Sequence, residues 1–115
     1  MIKDMAFVAY SVSDVPRAVA FYRDVIGLQP GDMASEHWVE FNVGPTAFGV
    51  GHGEGIGIKP GSQCSAVFEV DNLTELRSKL VAQGVTVTDV TQGPACMSCF
   101  VTDPDGNRFA LHQRS

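Results

Sequence analysis

The feature that most constrains this chain is that it reads twice. An apolar run ending in Val12-Ser13-Asp14 leads into a segment of helical spacing that stops at Gly27, and the same order returns halfway along as Val70-Asp71-Asn72 and a segment that stops at Gly84. A copy of roughly 55–60 residues hides only about 60% of the surface its unfolded chain exposes, too little for comfortable stability on its own. With 115 residues in all, the two copies are expected to share a core, within one domain spanning 1–115 or with another chain. An apolar content of 44% against 18% charged residues supplies enough material for that core.

In the first copy, Met5 to Val12 is an apolar, β-branched run of strand length. Ser13-Asp14 offers an oxygen to cap a helix, and Pro16 suits its first turn. Val15, Ala18, Val19, Phe21, Tyr22, Val25 and Ile26 follow helical spacing, and Gly27 supplies the left-handed residue that ends a helix. Leu28-Gln29-Pro30 starts a short strand before a stretch rich in Gly, Asp and Ser. Trp38 to Val43 alternates strictly, Gly44-Pro45 turns the chain, and Thr46 to Gly51 reads as its partner. Residues 52–63 are rich in glycine and read as an exposed, adaptable linker between a first module, 1–51, and a second, 64–115.

The second module repeats the order. Cys64 to Val70 reads as a strand, Asn72 with Glu75 as a capping box, and the helix runs to Gln83. Val85 to Thr88 alternates like a strand. Cys96–Thr102 and Arg108–Gln113 are two more, joined by Asp103-Pro104-Asp105-Gly106-Asn107, whose Pro and Gly pre-set a turn. The fold class is therefore α+β, built of two tandem βαβββ modules.

The strings FVAYSVSDVPRAVAFYRDVIGL and FVTDPDGNRFALHQ resemble the vicinal oxygen chelate superfamily, which holds glyoxalase, bleomycin-resistance proteins and extradiol dioxygenases. The resemblance spans essentially the whole chain. It implies a curved mixed sheet around a cavity with the helices on the outer face, often within a homodimer.

Alternate residues of a strand face opposite sides, so parity sorts the side chains. Val39, Phe41 and Val43 suit the helix-packed core, which leaves Trp38, Glu40 and Asn42 for the cavity. The same rule sends Phe7, Ala9 and Ser11 inward on the first strand, and Ser65, Val67 and Glu69 on the fifth. Cys96, Ser98 and Phe100, then Arg108, Ala110 and His112, face inward on the last two. The lining is mixed polar and aromatic, a composition that orients small ligands. Glu40 and His112 are the candidates for proton transfer, since an inward carboxylate and an imidazole can each exchange a proton near neutral pH.

Metal-dependent members of the superfamily hold a divalent ion through His and carboxylate side chains on four strands. The resemblance places those positions at Phe7, about Gly49, Ser65 and Ala110, none of which is a good ligand. No cofactor is expected, and glyoxalase-type isomerisation and extradiol ring cleavage lose their metal. His37 and His52 read as exposed residues at a strand edge and in the linker. Cys96-x-x-Cys99 has zinc-knuckle spacing, but residues three apart on a strand face opposite sides and cannot share an ion.

A net charge of −5 without a Lys/Arg cluster excludes nucleic acid or an anionic membrane as partner. No run approaches the ~20 apolar residues of a spanning helix, and the N-terminus lacks a leader pattern. Three cysteines, an odd number, read as free thiols in a reducing, cytoplasmic setting. The function expected from these readings is metal-independent binding of a small planar or aromatic molecule. The alternatives are a small lyase, isomerase or dioxygenase-like enzyme using Glu40 or His112, with or without a metal, and a dimeric interaction module.

Overall fold

A computed structural model describes the backbone of residues 1–115 and every side chain except that of Ile56. The chain divides into two compact units, Met1–Ser62 and Gln63–Ser115. Each holds one α-helix and a four-stranded mixed sheet, and the first adds a π-helical turn and a short 3-10 helix.

In the first unit, β1 (Val8–Ser11) is followed by α1 (Val15–Ala20), and then by β2 (Gln29–Ala34), β3 (Trp38–Val43) and β4 (Thr46–Gly51). The sheet order is β1-β4-β3-β2, with β1 parallel to β4 and the other pairs antiparallel. The expected run from Met5 narrows to Val8–Ser11, because only those residues find a ladder on β4. Of the two candidate caps, Asp14 takes the role: its Oδ1 accepts the Arg17 N–H at 3.0 Å. The predicted single helix changes pitch at Phe21, and Phe21–Ile26 is a π-helical turn ended by Gly27 at φ 94°. The Gly27 N–H reaches back five residues to Tyr22 O at 3.1 Å. The polar stretch after Pro30, read as loop, continues β2 to Ala34 through a register shift against β3.

The faces sort as parity requires. Tyr10, Val12, Phe41, Phe48 and Val50 are buried with Val15, Ala18, Phe21 and Tyr22 of the helical segment. Tyr22 anchors this core, with its ring 5.0 Å from Phe48 and 6.3 Å from Phe41.

The second unit repeats the topology. β5 (Val67–Glu69), α2 (Leu73–Ala82), β6 (Thr91–Gln92), β7 (Cys96–Thr102) and β8 (Arg108–Arg114) give the order β5-β8-β7-β6, with β5 parallel to β8. Asn72 caps α2, accepting the Glu75 N–H at 3.1 Å, and Gln113 Oε1 accepts the Leu73 N–H at 2.7 Å. Phe68, Leu73, Leu80, Cys99, Val101, Phe109 and Leu111 form the core.

Two expectations change here. Val85–Thr88 is not a strand: only Val87 bridges to Val101, and the named strand lies at Thr91–Gln92. One extra residue separates the two pairings, and Thr88 Oγ1 accepts the Phe100 N–H at 2.8 Å, so a side chain stands in where the ladder breaks. The fifth strand begins at Val67 rather than Cys64, which leaves Cys64 and Ser65 exposed ahead of it.

The Asp103–Asn107 turn is a buried polar knot. Asp103 Oδ1 accepts the N–H groups of Asp105 (2.9 Å) and Asn107 (2.8 Å), and Asn107 Nδ2 donates to Asp103 Oδ2 at 3.0 Å. Asn107 Oδ1 accepts the Gln63 N–H at 3.1 Å, which ties the start of this unit to its last hairpin.

Candidate functional site

On the face of the first sheet away from α1, β4 carries Gly49 and Gly51 where alternate side chains would stand. The indole of Trp38 fills that space. A Cβ at Gly49 would come within 2.5 Å of Trp38 Cζ2, and one at Gly51 within 2.6 Å of Trp38 Cε3, so both glycines are required by the ring lying over them. Phe7 meets the indole edge-on, ring centroids 5.2 Å apart. The indole Nε1–H donates to Glu40 Oε2 at 2.8 Å, which fixes the ring and directs the carboxylate.

Beside this platform is a cavity of about 190 Å³ lined by Ala9, Tyr10, Ser11, Trp38, Gly51, His52, Gly53 and Ile58. An apolar cavity of about 150 Å³ suffices for benzene, so the volume suits one aromatic ring. Ser11 closes one end. Its hydroxyl donates to Ile58 O at 2.8 Å and accepts the Gly53 N–H at 3.1 Å, so the first part of the glycine-rich stretch 52–63 folds onto β1 rather than hanging free. His37 and His52 are exposed, as expected, but the structure also brings their rings together, 5.5 Å between centroids and edge to face.

Of the first-unit candidates, then, Phe7, Trp38 and Glu40 come together. Asn42 does not join them; it is exposed, and its Oδ1 lies where a Cβ on Gly31 of β2 would stand, 2.9 Å away. Sequence reasoning missed the contributions of Tyr10, His52, Gly53 and Ile58. Gly49 and Gly51, two apart in a strand, were the signal that something large lies against it.

In the second unit, Cys96, Ser98, Phe100, Arg108 and His112 share the sheet face away from α2, together with Val67 and Glu69. His112 Nδ1 and Glu69 Oε1 are 2.6 Å apart. The Glu69 carboxyl is held below the usual carboxylate range, first by the Arg114 N–H that reaches Oε2 at 2.7 Å and then by His112. The Arg108 guanidinium lies 4.6 Å over the Phe100 ring. Ser65 is exposed outside this sheet. Cys96 and Cys99 face opposite ways: Cys96 is half-buried, while Cys99 is in the core, where burial pushes its thiol up.

The four positions that the resemblance marks for metal do not fit one. Phe7 and Ala110 have no donor atom, Gly49 has no side chain and lies under the indole, and Ser65 offers a lone exposed hydroxyl. Among the described residues, no group of three His, Cys, Asp or Glu side chains is placed to share an ion.

The chain is a duplicated βαβββ protein whose open sheet faces carry aromatic and ionisable side chains. The chain belongs to the Glyoxalase/Bleomycin resistance protein/Dioxygenase superfamily, whose sequence signature matches residues 5–111. Among solved structures it is similar to TnmS3, an antibiotic binding protein from Streptomyces sp. CB03234 (24% identity, TM-score 0.85, covering 99% of this chain and 98% of that one). It is also similar to a lactoylglutathione lyase from Agrobacterium tumefaciens (20% identity, TM-score 0.82, covering 98% and 95%). A glyoxalase/bleomycin resistance protein from Streptomyces sp. CB03234 matches at 24% identity and TM-score 0.82, covering 96% and 100%. At these identities the likeness is one of fold, and it spans a binding protein and a lyase alike. No curated protein sequence matches the chain. Among the described residues, no helix is long and apolar enough to cross a membrane.

Proposed function

We propose that this protein binds a small planar or aromatic molecule without a metal. The observation that carries the reading is the Trp38 indole, seated on two glycines, edged by Phe7 and pinned through its N–H to Glu40 beside a ring-sized cavity. A fixed aromatic wall loses little entropy when a second ring stacks on it, and a carboxylate at its rim favours a cation. The similarity in fold to an antibiotic binding protein supports a sequestering role. The substituted ligand positions support independence from metal. The free thiols and acidic balance support a cytoplasmic site of action. The small size of each copy, which favours packing against another chain, supports a homodimer.

The test uses Trp38, the single tryptophan of the chain, as its own reporter. Titration with proflavine, a planar cation, is expected to quench its emission saturably and equally with or without EDTA. Glu40→Gln is expected to weaken binding about tenfold. Quenching that disappears with EDTA and returns with Ni²⁺ or Zn²⁺ overturns the metal-free reading. Failure of proflavine and of neutral aromatic probes alike to quench overturns the site.

A further inference from the structure

The loop that follows β4 closes on itself. The Ile58 N–H donates to Gly53 O at 2.9 Å and the Gly57 N–H to Glu54 O at 3.0 Å. Gly57, at φ 85°, supplies the left-handed residue that this turn requires. Both ends of the closed loop then meet one side chain. Ser11 Oγ accepts the Gly53 N–H at 3.1 Å and donates to Ile58 O at 2.8 Å, and Ser11 is only 4% exposed. A buried hydroxyl needs its partners, so these bonds hold the loop on β1 as a preformed piece. The fit is close: a Cβ on Gly53 would stand 2.9 Å from Ser11 Oγ and 3.1 Å from Ile58 Cβ.

This loop supplies a wall of the ring-sized cavity. Ala9, Gly51 and Gly53 give it little side chain, and the Tyr10 ring is turned into the core, 5.1 Å from Phe48. Trp38, His52 and Ile58 are the large side chains left to it. Trp38 is seated on Gly49 and Gly51, and His52 stands exposed against His37. Ile58 is the aliphatic one, 37% exposed although apolar, and it is carried by the loop that Ser11 seats.

We propose that Ile58 is the specificity-determining residue of the aromatic site and Ser11 its positioning residue. The seated loop holds the isoleucine as a fixed wall, so that one ring of a ligand is enclosed and any ring fused to it stays outside. A cavity of about 190 Å³ has room for one ring and not for two. The inference rests on the reading of the Trp38 site as one that binds aromatic molecules, and it adds the ring size the site selects.

Amide hydrogen exchange of the whole chain tests the seating without a ligand. In the wild type the Gly53 and Ile58 amides are expected to be protected, and in Ser11→Ala the Gly53 amide, which loses its acceptor, to exchange at least about tenfold faster. Unchanged protection of Gly53 in Ser11→Ala overturns the seating. Quenching of Trp38 emission by two neutral probes, nitrobenzene with one ring and 1-nitronaphthalene with two, tests the selection. Ile58→Ala, a truncation outside the core, is expected to shift the ratio of their Kd values about tenfold in favour of the fused pair, the scale on which a hydrophobic pocket discriminates small changes in ligand size. Ser11→Ala is expected to shift it the same way but less. A ratio unchanged in Ile58→Ala overturns the wall. Absence of quenching by both probes in the wild type overturns aromatic binding at Trp38, and the selection with it. The exchange result involves no ligand, so failure of the seating and failure of binding are separate results.

Discussion

Replacing Gly49 by alanine should unseat Trp38. The added Cβ would come within 2.5 Å of Trp38 Cζ2, whereas carbon atoms in good contact stand about 3.5–4.0 Å apart. The ring must therefore move by more than about 1 Å, and in moving it gives up two interactions. The indole–Glu40 hydrogen bond, 2.8 Å and half exposed, contributes about 1.5 kcal/mol at the low end for a charged acceptor. The edge contact with Phe7 contributes about 0.5–1.5 kcal/mol. Alanine returns about 0.5–1 kcal/mol through its smaller backbone entropy in a strand. The net loss is about 1–2.5 kcal/mol. Urea unfolding at unchanged m-value measures it, and the emission of the single tryptophan, expected to shift to longer wavelength, shows whether the ring has moved. Gly55→Ala is the control, since among the described residues nothing beyond its chain neighbours lies within 4 Å of its Cβ direction. Wild-type stability together with unchanged emission in Gly49→Ala would refute the seating of the indole on β4.

Asn107→Ala should cost about 2–4 kcal/mol in urea unfolding, because it strips partners from the buried Asp103 carboxylate and from the Gln63 N–H; a cost below about 1 kcal/mol would show that the knot is not what closes the hairpin. Glu69 has its folded pKa lowered, so its contribution is present above the unfolded value and lost as pH falls through the folded one. Glu69→Gln should accordingly lower the urea midpoint at about pH 7 and converge on wild type toward about pH 3; a pH-independent gap would count against the ionic origin. Thiol titration should find Cys64 reacting first, Cys96 more slowly and Cys99 only on unfolding, since Cys99 is buried and its thiol is pushed up. Fast labelling of Cys99 in the native state would contradict its place in the core.

The duplication, the helix caps and the strand faces were legible because each rests on local chemistry: Asp14 and Asn72 accept helix N–H groups wherever they occur, and alternation fixes which side of β3 is apolar. What escaped notice depended on partners distant in sequence. The break between Val87 and Thr91 could not be read from alternation, because Thr88 answers the Phe100 N–H with its side chain instead of its backbone. The π-turn at Phe21–Ile26 keeps the apolar pattern of an ordinary helix, so its pitch left no mark. At the candidate site, parity placed Trp38 and Glu40 on one face but gave no hint that the indole would bond the carboxylate. It sent Ser11 toward the cavity, where the residue does stand, but gave no hint that its hydroxyl would hold Gly53 and Ile58 there.

The two units show how duplication separates scaffold from chemistry. Equivalent strands keep their apolar faces, Tyr10 and Phe41 in one unit and Phe68 and Cys99 in the other, because those faces hold the helices. Their opposite faces differ at the positions described. β4 presents Gly49 and Gly51 under an indole; β8 presents Ala110 and His112, the latter bonded to a carboxylate. Packing the cores explains neither set, since the shared fold is satisfied by both. One sheet carries an aromatic seat and the other an acid–imidazole pair.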